Sequence, residues 1–385
     1  MPPSFPYGGM ENPCLTFVTP CLLVGDKSLT DVVIHEISHS WFGNLVTNAT
    51  WGDFWLNEGF TMFAQRRIME EILGRPYTCL EAGTGLALLR LHMDHTGEDH
   101  PFNKLKVVIE PGVDPDDTYN ETPYEKGYCF VSYINVRATS VVASDTLEYF
   151  LQYFPDLKEQ KADQREGLEF DRWLNTPGWP PYVPDLSAGK ELTEPAEQLA
   201  DALAGETTEV QHDITFPRSC SFPCLLCFLQ ESFLDISSWK SYQLLHFLKK
   251  LLEKSALKAE TLAAIAEKYP HLARSHNAEI CLRWAQICIK NDYQPAFPDI
   301  KDFLHLFPSL CEEFFVRGFG CNRILYSWTL RTVPGKQKYT LPIYKALMKG
   351  SDAAKTFAST VYGETKDQLH VQVSNYVAKE IGLKK

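Results

Sequence analysis

Val32-Val33-Ile34-His35-Glu36-Ile37-Ser38-His39, followed by Trp55-Leu56-Asn57-Glu58-Gly59, is the stretch from which fold and chemistry are both read. His35 and His39 are four residues apart, so on a helix they lie one turn apart and aim both imidazoles at one point. Neutral imidazoles suit zinc, and a catalytic zinc takes three protein ligands while keeping a position open for water. Glu58 is the expected third ligand. Eighteen residues lie between it and His39, enough for a helix to end, the chain to turn and a second helix to return a carboxylate. Glu36 stands beside the first histidine, placed to take a proton from water rather than to bind the ion. Two core histidines satisfied by carbonyls would explain neither Glu36 nor Glu58. The residues therefore predict a zinc site, one ion per chain, with a free acid beside it.

A chain of 385 residues suffices for two domains, each with its own core. The hydrophobic share of 44% is ordinary for a globular protein, and no apolar run reaches membrane-spanning length. Met1-Pro2-Pro3-Ser4-Phe5-Pro6 lacks the basic start and apolar core of a secretory signal. The net charge of −12 argues against nucleic acid as a partner and is compatible with cationic peptides. Eleven cysteines, an odd number without framework spacing, favour reduced thiols and a cytoplasmic location.

Wider motifs carry a resemblance. Gly8-Gly9-Met10-Glu11-Asn12, then His35-Glu36-x-x-His39, then Trp51 to Glu58, is similar to the gluzincin zinc aminopeptidases. The fuller run from Pro6 to Pro13, with Pro123-Tyr124-Glu125-Lys126-Gly127, narrows the likeness to the aminopeptidase B and leukotriene A(4) hydrolase branch. It covers most of residues 2–206 and, with interruptions, 238–385. The resemblance implies a mainly α chain: a thermolysin-like catalytic domain over 1–176, with a truncated sheet lobe plus helices, and an armadillo-like helical domain over 196–385. Between them, Asn175 to Pro184 is a linker by composition, because its prolines deny the chain helix and sheet ladders; 177–195 is taken as the linker.

The same resemblance implies substrates that are peptides with a free N-terminus. Tyr124 matches the family tyrosine that hydrogen-bonds the developing oxyanion, and Tyr119 aligns with another active-site tyrosine. Glu11 matches the carboxylate that binds the substrate's α-ammonium group, with Gly8, Gly9 and Met10 alongside; glycine there lets substrate backbone approach closely. Lys336 and Lys338 fall where the family has basic residues facing the substrate carboxylate. Asp116 corresponds to an acid near the first-residue pocket. Asp53 is close enough in the chain to be considered as a partner for a zinc histidine.

The chain also departs from the family. Relatives carry a β-rich domain ahead of the Gly-Gly-Met-Glu-Asn strand, so a fragment or N-terminally shortened form is expected. After Tyr133 about a helical hairpin of chain is absent, and family-like sequence resumes near Leu147. Segments 211–232 and 307–333 are atypical. Cys220, Cys224 and Cys227 lie among apolar neighbours with no fourth ligand, which argues against a second metal site. Three readings stay open: an aminopeptidase, an epoxide hydrolase using the same zinc, and an inactive zinc-binding form acting through protein contacts. Neither the preferred first residue nor the oligomeric state can be read.

Periodicity supplies the elements. Leu15–Thr19 alternates as a strand, Ser28–Val46 and Trp51–Glu71 read as the two zinc helices, and Val107–Pro111 as an extended piece. A third helix, about Thr78–His95, would place Leu80, Ala87, Leu88 and Leu91 on one side, and a fourth begins at Lys126. Further helices are expected at Trp239–Lys254, Ala256–Lys268, Asn277–Lys290, Pro342–Met348 and Thr365–Ile381. Leu244, Leu245, Phe247, Leu248, Leu251 and Leu252 form a core face.

Overall fold

The computed structural model describes residues 1, 5, 7–113, 118–137, 170–205, 235–254, 256–306, 337–367, 369 and 371–383. Asp116, Lys336, the Lys338 side chain, the stretch from 138 to 169 and the atypical segments 211–232 and 307–333 lie outside these residues. The chain divides into two compact units, residues 9–17 with 30–192, and residues 1–8 and 18–29 with 193–385. As expected, it is mainly α. Among the described residues the strands are β1 (Gly9–Met10) and β2 (Phe17–Val18), which pair with each other. The strand expected over Leu15–Thr19 is thus only two residues long. No described helix is long and apolar enough to cross a membrane.

The unit containing residues 30–192 is built from α1 (Thr30–Ser38), α2 (Trp55–Leu73), α3 (Arg75–Thr96), α4 (Thr122–Arg137) and the short α5 (Phe170–Asn175). α1 stops well before Val46, where the sequence pattern would carry it. Past Ser38 the amides of Asn44, Leu45 and Val46 reach back five residues, to His39, Ser40 and Trp41, instead of four. Gly43 then takes a φ of +137°, which closes the turn. α3 also corrects the reading. Its buried stripe is Ala82, Leu86, Leu89 and Met93 at i, i+4, i+7 and i+11, whereas Leu88 and Leu91 are exposed. α4 starts at Thr122, not Lys126, because the Asn120 side chain accepts from the Thr122 amide at 2.7 Å and supplies a start. Residues 107–110 form no strand.

α2 and α4 pack backbone to backbone. A methyl group added to Gly59 would come within 2.8 Å of the Gly127 Cα, so only glycine fits at this crossing. Beside it, Phe130 stacks on Trp173, with ring centroids 4.8 Å apart, and meets the tilted Trp55 ring at 5.4 Å. All three rings are buried, and burying a side chain of this kind contributes about 1.5–3 kcal/mol.

The other unit contains most of α6 (Lys190–Ala204), then α7 (Ser241–Glu253), α8 (Ala259–Lys268), α9 (Ala278–Lys290), α10 (Phe297–Leu306), α11 (Gln337–Lys349), α12 (Asp352–Thr365) and α13 (Val371–Glu380). α7 packs on α9, α9 on α11, and α11 on α12 and α13. Leu244, Phe247, Leu248 and Leu251 are buried as their spacing predicts, with Leu245 and Leu252 packed at the edge of that core. The helix expected over Thr365–Ile381 is instead the end of α12, a turn at 366–367, and α13. α6, α10 and α12 were not anticipated as separate helices, and Pro342 lies inside α11 rather than at its start.

Candidate metal centre

His35 on α1 and His39, just past its end, face Glu58 in the first turn of α2. The His35 and His39 Nε2 atoms are 3.1 Å apart, and Glu58 Oε2 lies 3.2 Å from the first and 3.4 Å from the second. A tetrahedral ion with ligand bonds of about 2.1 Å sets its ligand atoms about 3.4 Å apart, so these three atoms fit one face of such a site. Among the described residues, no other set of His, Cys, Asp or Glu converges this way. Glu58 Oε2 is buried with no donor beyond the two imidazoles, an expensive state for a carboxylate unless positive charge meets it. Burial works against a charged His39, yet the hydrogen bond and charge of Glu58 push its pKa up to about 9. Burial likewise favours a neutral Glu58, but the two imidazoles hold it down to about 2. The triangle is thus built to attract a cation.

Behind it lies a layer of oriented partners. His39 Nδ1 donates to the Phe42 carbonyl at 2.8 Å, and the Thr61 hydroxyl donates to the same carbonyl at 2.9 Å. Gly43 keeps this corner open, since a Cβ there would sit 2.9 Å from His39 Nδ1. His35 Nδ1 donates to Gln65 Oε1 at 2.9 Å. Glu58, Thr61 and Gln65 are all buried and lie at i, i+3 and i+7 along α2. Buried polar residues at helical spacing, starting from Glu58, were the signal that would have found the latter two. Asp53 has no such role. It accepts from the Thr50 hydroxyl at 3.0 Å and approaches Lys106 at 3.9 Å.

Glu36 is buried beside the triangle. Burial pushes its pKa up to about 7, against the pull of His35 and His39, with Glu11 and Glu58 adding to the rise. Gly9 on β1 packs directly on it, and a Cβ there would overlap the Glu36 carboxylate. The absence of a side chain at Gly9 therefore serves Glu36. Glu11 Oε1 lies 3.7 Å from His39 Nδ1, and its backbone carbonyl is held by the Asn44 side chain at 2.7 Å. The Met10 side chain is exposed, and the Gly8 carbonyl accepts from the Thr19 amide. The Tyr124 ring stacks on His35 with centroids 6.1 Å apart, and its hydroxyl donates to Tyr119 at 3.2 Å. Burial and the Glu58 charge raise the Tyr124 pKa well above its usual value, so it stays a hydrogen-bond donor. Tyr124 also walls a small hollow with Met62, Leu88, Tyr119 and Glu121. That is where Leu88 faces, instead of the core.

The run from Tyr124 to Gly127 serves a different contact at each residue. Glu125 pairs bidentately with Arg66 at 2.9 and 2.8 Å, both side chains being buried. The buried Lys126 ammonium donates to the carbonyls of Thr176, Gly178 and Asn103 at 2.8, 2.9 and 3.4 Å, and burial lowers its pKa to about 8. Gly127 meets Gly59, which follows Glu58. Two motifs far apart in sequence are thus locked together.

Residues 1–169 match the peptidase family M1 domain, and residues 239–381 match the leukotriene A4 hydrolase C-terminal domain. The chain thus carries an M1 peptidase domain followed by a leukotriene A4 hydrolase C-terminal domain. It is 52% identical over 396 residues to aminopeptidase B of Mus musculus, covering 98% of this chain and 54% of that protein. Aminopeptidase RNPEPL1 of Homo sapiens is 41% identical over 389 residues, 96% of this chain and 47% of the relative. The structure of native leukotriene A4 hydrolase from Saccharomyces cerevisiae superposes with a TM-score of 0.73 at 27% identity, covering 99% of this chain and 58% of that one. The chain spans about half the length of the curated relatives it matches. M1 aminopeptidases are zinc metallopeptidases, and the donor set of two imidazoles and one carboxylate suits that metal.

Proposed function

We propose that this chain is a zinc metalloaminopeptidase that hydrolyses the N-terminal peptide bond of peptides with a free N-terminus. The observation that carries this reading is the triangle of His35, His39 and Glu58 with the buried Glu36 carboxyl beside it. When bound, one zinc ion per chain would polarise the scissile carbonyl and lower the pKa of a water. Glu36 then takes the proton from the attacking water and passes it to the leaving amine. Tyr124 turns its hydroxyl from Tyr119 to the oxygen on which charge develops. Glu11 holds the α-ammonium group and so limits cleavage to one residue, with the Gly8-Gly9-Met10 strand alongside. Asp116, Lys336 and Lys338 are assigned to substrate binding on the family resemblance alone.

We assign residues 1–176 to a thermolysin-like catalytic domain, 177–195 to the linker and 196–385 to the armadillo-like domain. All six described cysteines are unpaired, which supports a cytoplasmic setting. The test is zinc content and release of an amino acid from aminoacyl reporter substrates, with Glu36→Gln as control. The wild type is expected to bind one zinc and turn over; Glu36→Gln should keep the zinc and lose about 10²–10⁴-fold in kcat. Zinc retained by the wild type without turnover would favour the inactive form. Turnover unchanged by Glu36→Gln would reject the mechanism.

A further inference from the structure

The polar residues behind His35 form a chain with a direction. Gln65 on α2 has its side-chain oxygen 2.9 Å from His35 Nδ1 and its nitrogen 2.6 Å from Glu81 Oε1 on α3. Glu81 Oε1 also lies 3.5 Å from Arg66 Nε, and the other two Arg66 nitrogens are held by Glu125. Gln65, Glu81, Arg66 and Glu125 are all buried, so water does not replace a lost partner.

An amide accepts on one side and donates on the other, and its partners decide which way round it sits. In the orientation found, Gln65 accepts from His35, the ring proton is on Nδ1, and Nε2 presents a lone pair to the triangle. Inverted, the amide would donate to Nδ1, and the ring proton would move to Nε2. It would then point at His39 and Glu58, closing the site to a cation. Inversion would also set the Gln65 oxygen against Glu81 Oε1, an acceptor already shared with Arg66. As a carboxylate, Glu81 therefore excludes the inverted amide.

We infer that Gln65 and Glu81 are positioning residues that fix the Nδ1–H tautomer of His35 and so keep its Nε2 free for a divalent cation. Neither touches the ion or the substrate. This rests on the metal reading above and adds to it the residues that make one ligand competent.

The test measures zinc affinity of the full chain by competition with a chelator, using the metal alone. Gln65→Met has nearly the same size but no acceptor, and it should bind zinc about 10–100-fold more weakly. The double variant Gln65→Glu with Glu81→Gln exchanges the two groups: a carboxylate accepts from His35 and an amide donates to that carboxylate. It should regain nearly wild-type affinity and give the wild-type cobalt(II) absorption spectrum. Wild-type affinity in Gln65→Met, or an exchanged pair that binds no more tightly than Gln65→Met, would overturn the inference. If circular dichroism shows Gln65→Met unfolded, the exchanged pair decides alone, supporting the inference at near wild-type affinity and overturning it otherwise. A wild-type chain that binds no zinc would overturn the metal reading itself, and the inference with it.

Discussion

Residues 193–385, with 1–8 and 18–29, enclose an interior of Leu248, Leu251, Ile287, Tyr344 and Leu347. The buried polar side chains described there, among them Gln243, Asn277 and Thr365, are all neutral. Residues 30–192 bury Asp31, Glu36, His39, Glu58, Arg66, Glu81, Glu125 and Lys126. Charge burial is a poor way to gain stability, because desolvation offsets most of the attraction. A unit that only has to fold does what the first of these does. The other accepts the cost, and His39 and Glu58 of the triangle, with the neighbouring Glu36, are among the charges it buries. The contrast locates the chemistry independently of any motif.

The sharpest way to break this contrast is to remove one partner of a buried pair. Glu125→Leu leaves the Arg66 guanidinium without its bidentate partner and is expected to cost about 3–5 kcal/mol in denaturant unfolding. A cost near zero for Glu125→Gln, which keeps the shape and one acceptor but not the charge, would show that a single hydrogen bond suffices and the buried charge pair does not matter.

A pH series sharpens it next. Burial raises Glu81 to about 7 in the folded state from an ordinary 4.5, so between those values the folded chain binds more protons than the unfolded one. Its contribution is fully present below about pH 4.5 and is lost as pH rises through about 7, by at most about 3 kcal/mol. Glu81→Gln should flatten the melting temperature across that window relative to the wild type. Parallel curves would show that Glu81 ionises normally.

The smallest effect tests the α3 face. Leu91 is 66% exposed, and Leu91→Ser should change stability by no more than about 0.5 kcal/mol, whereas Leu89→Ala should cost about 2–5 kcal/mol. Thermal melts of the two variants side by side would reverse in order if the sequence-based face were right.

How far the sequence could be read follows from the same physics. The convergence of His35, His39 and Glu58, with Glu36 beside them, was legible because spacing on two helices leaves little freedom: positions 35, 39 and 58 had to meet or the motif meant nothing. The apolar face of α7 was legible because a single stripe of leucines packs on one side. The α3 face was not, since that helix carries leucines on two sides. Leu86 and Leu89 enter the core, while Leu88 lines a hollow beside Tyr124. Gln65, Arg66 and Glu81 escaped for a related reason. Alone in a sequence a glutamine or arginine reads as solvated, and only the α2 and α3 faces brought together reveal them as partners. The end of α1 was hidden by Gly43, whose φ cannot be told from its identity.

The contact of Gly59 with Gly127 has a consequence for how finely the tyrosine can be aimed. Side chains at a helix crossing can change rotamer and let the helices slide, but two bare main chains have nothing to give. The span from the Glu58 carboxylate to the Tyr124 ring is therefore gauged by peptide backbone. A single methyl group at either glycine would act as a shim, lifting the phenol from its mark while leaving every named side chain of the site intact.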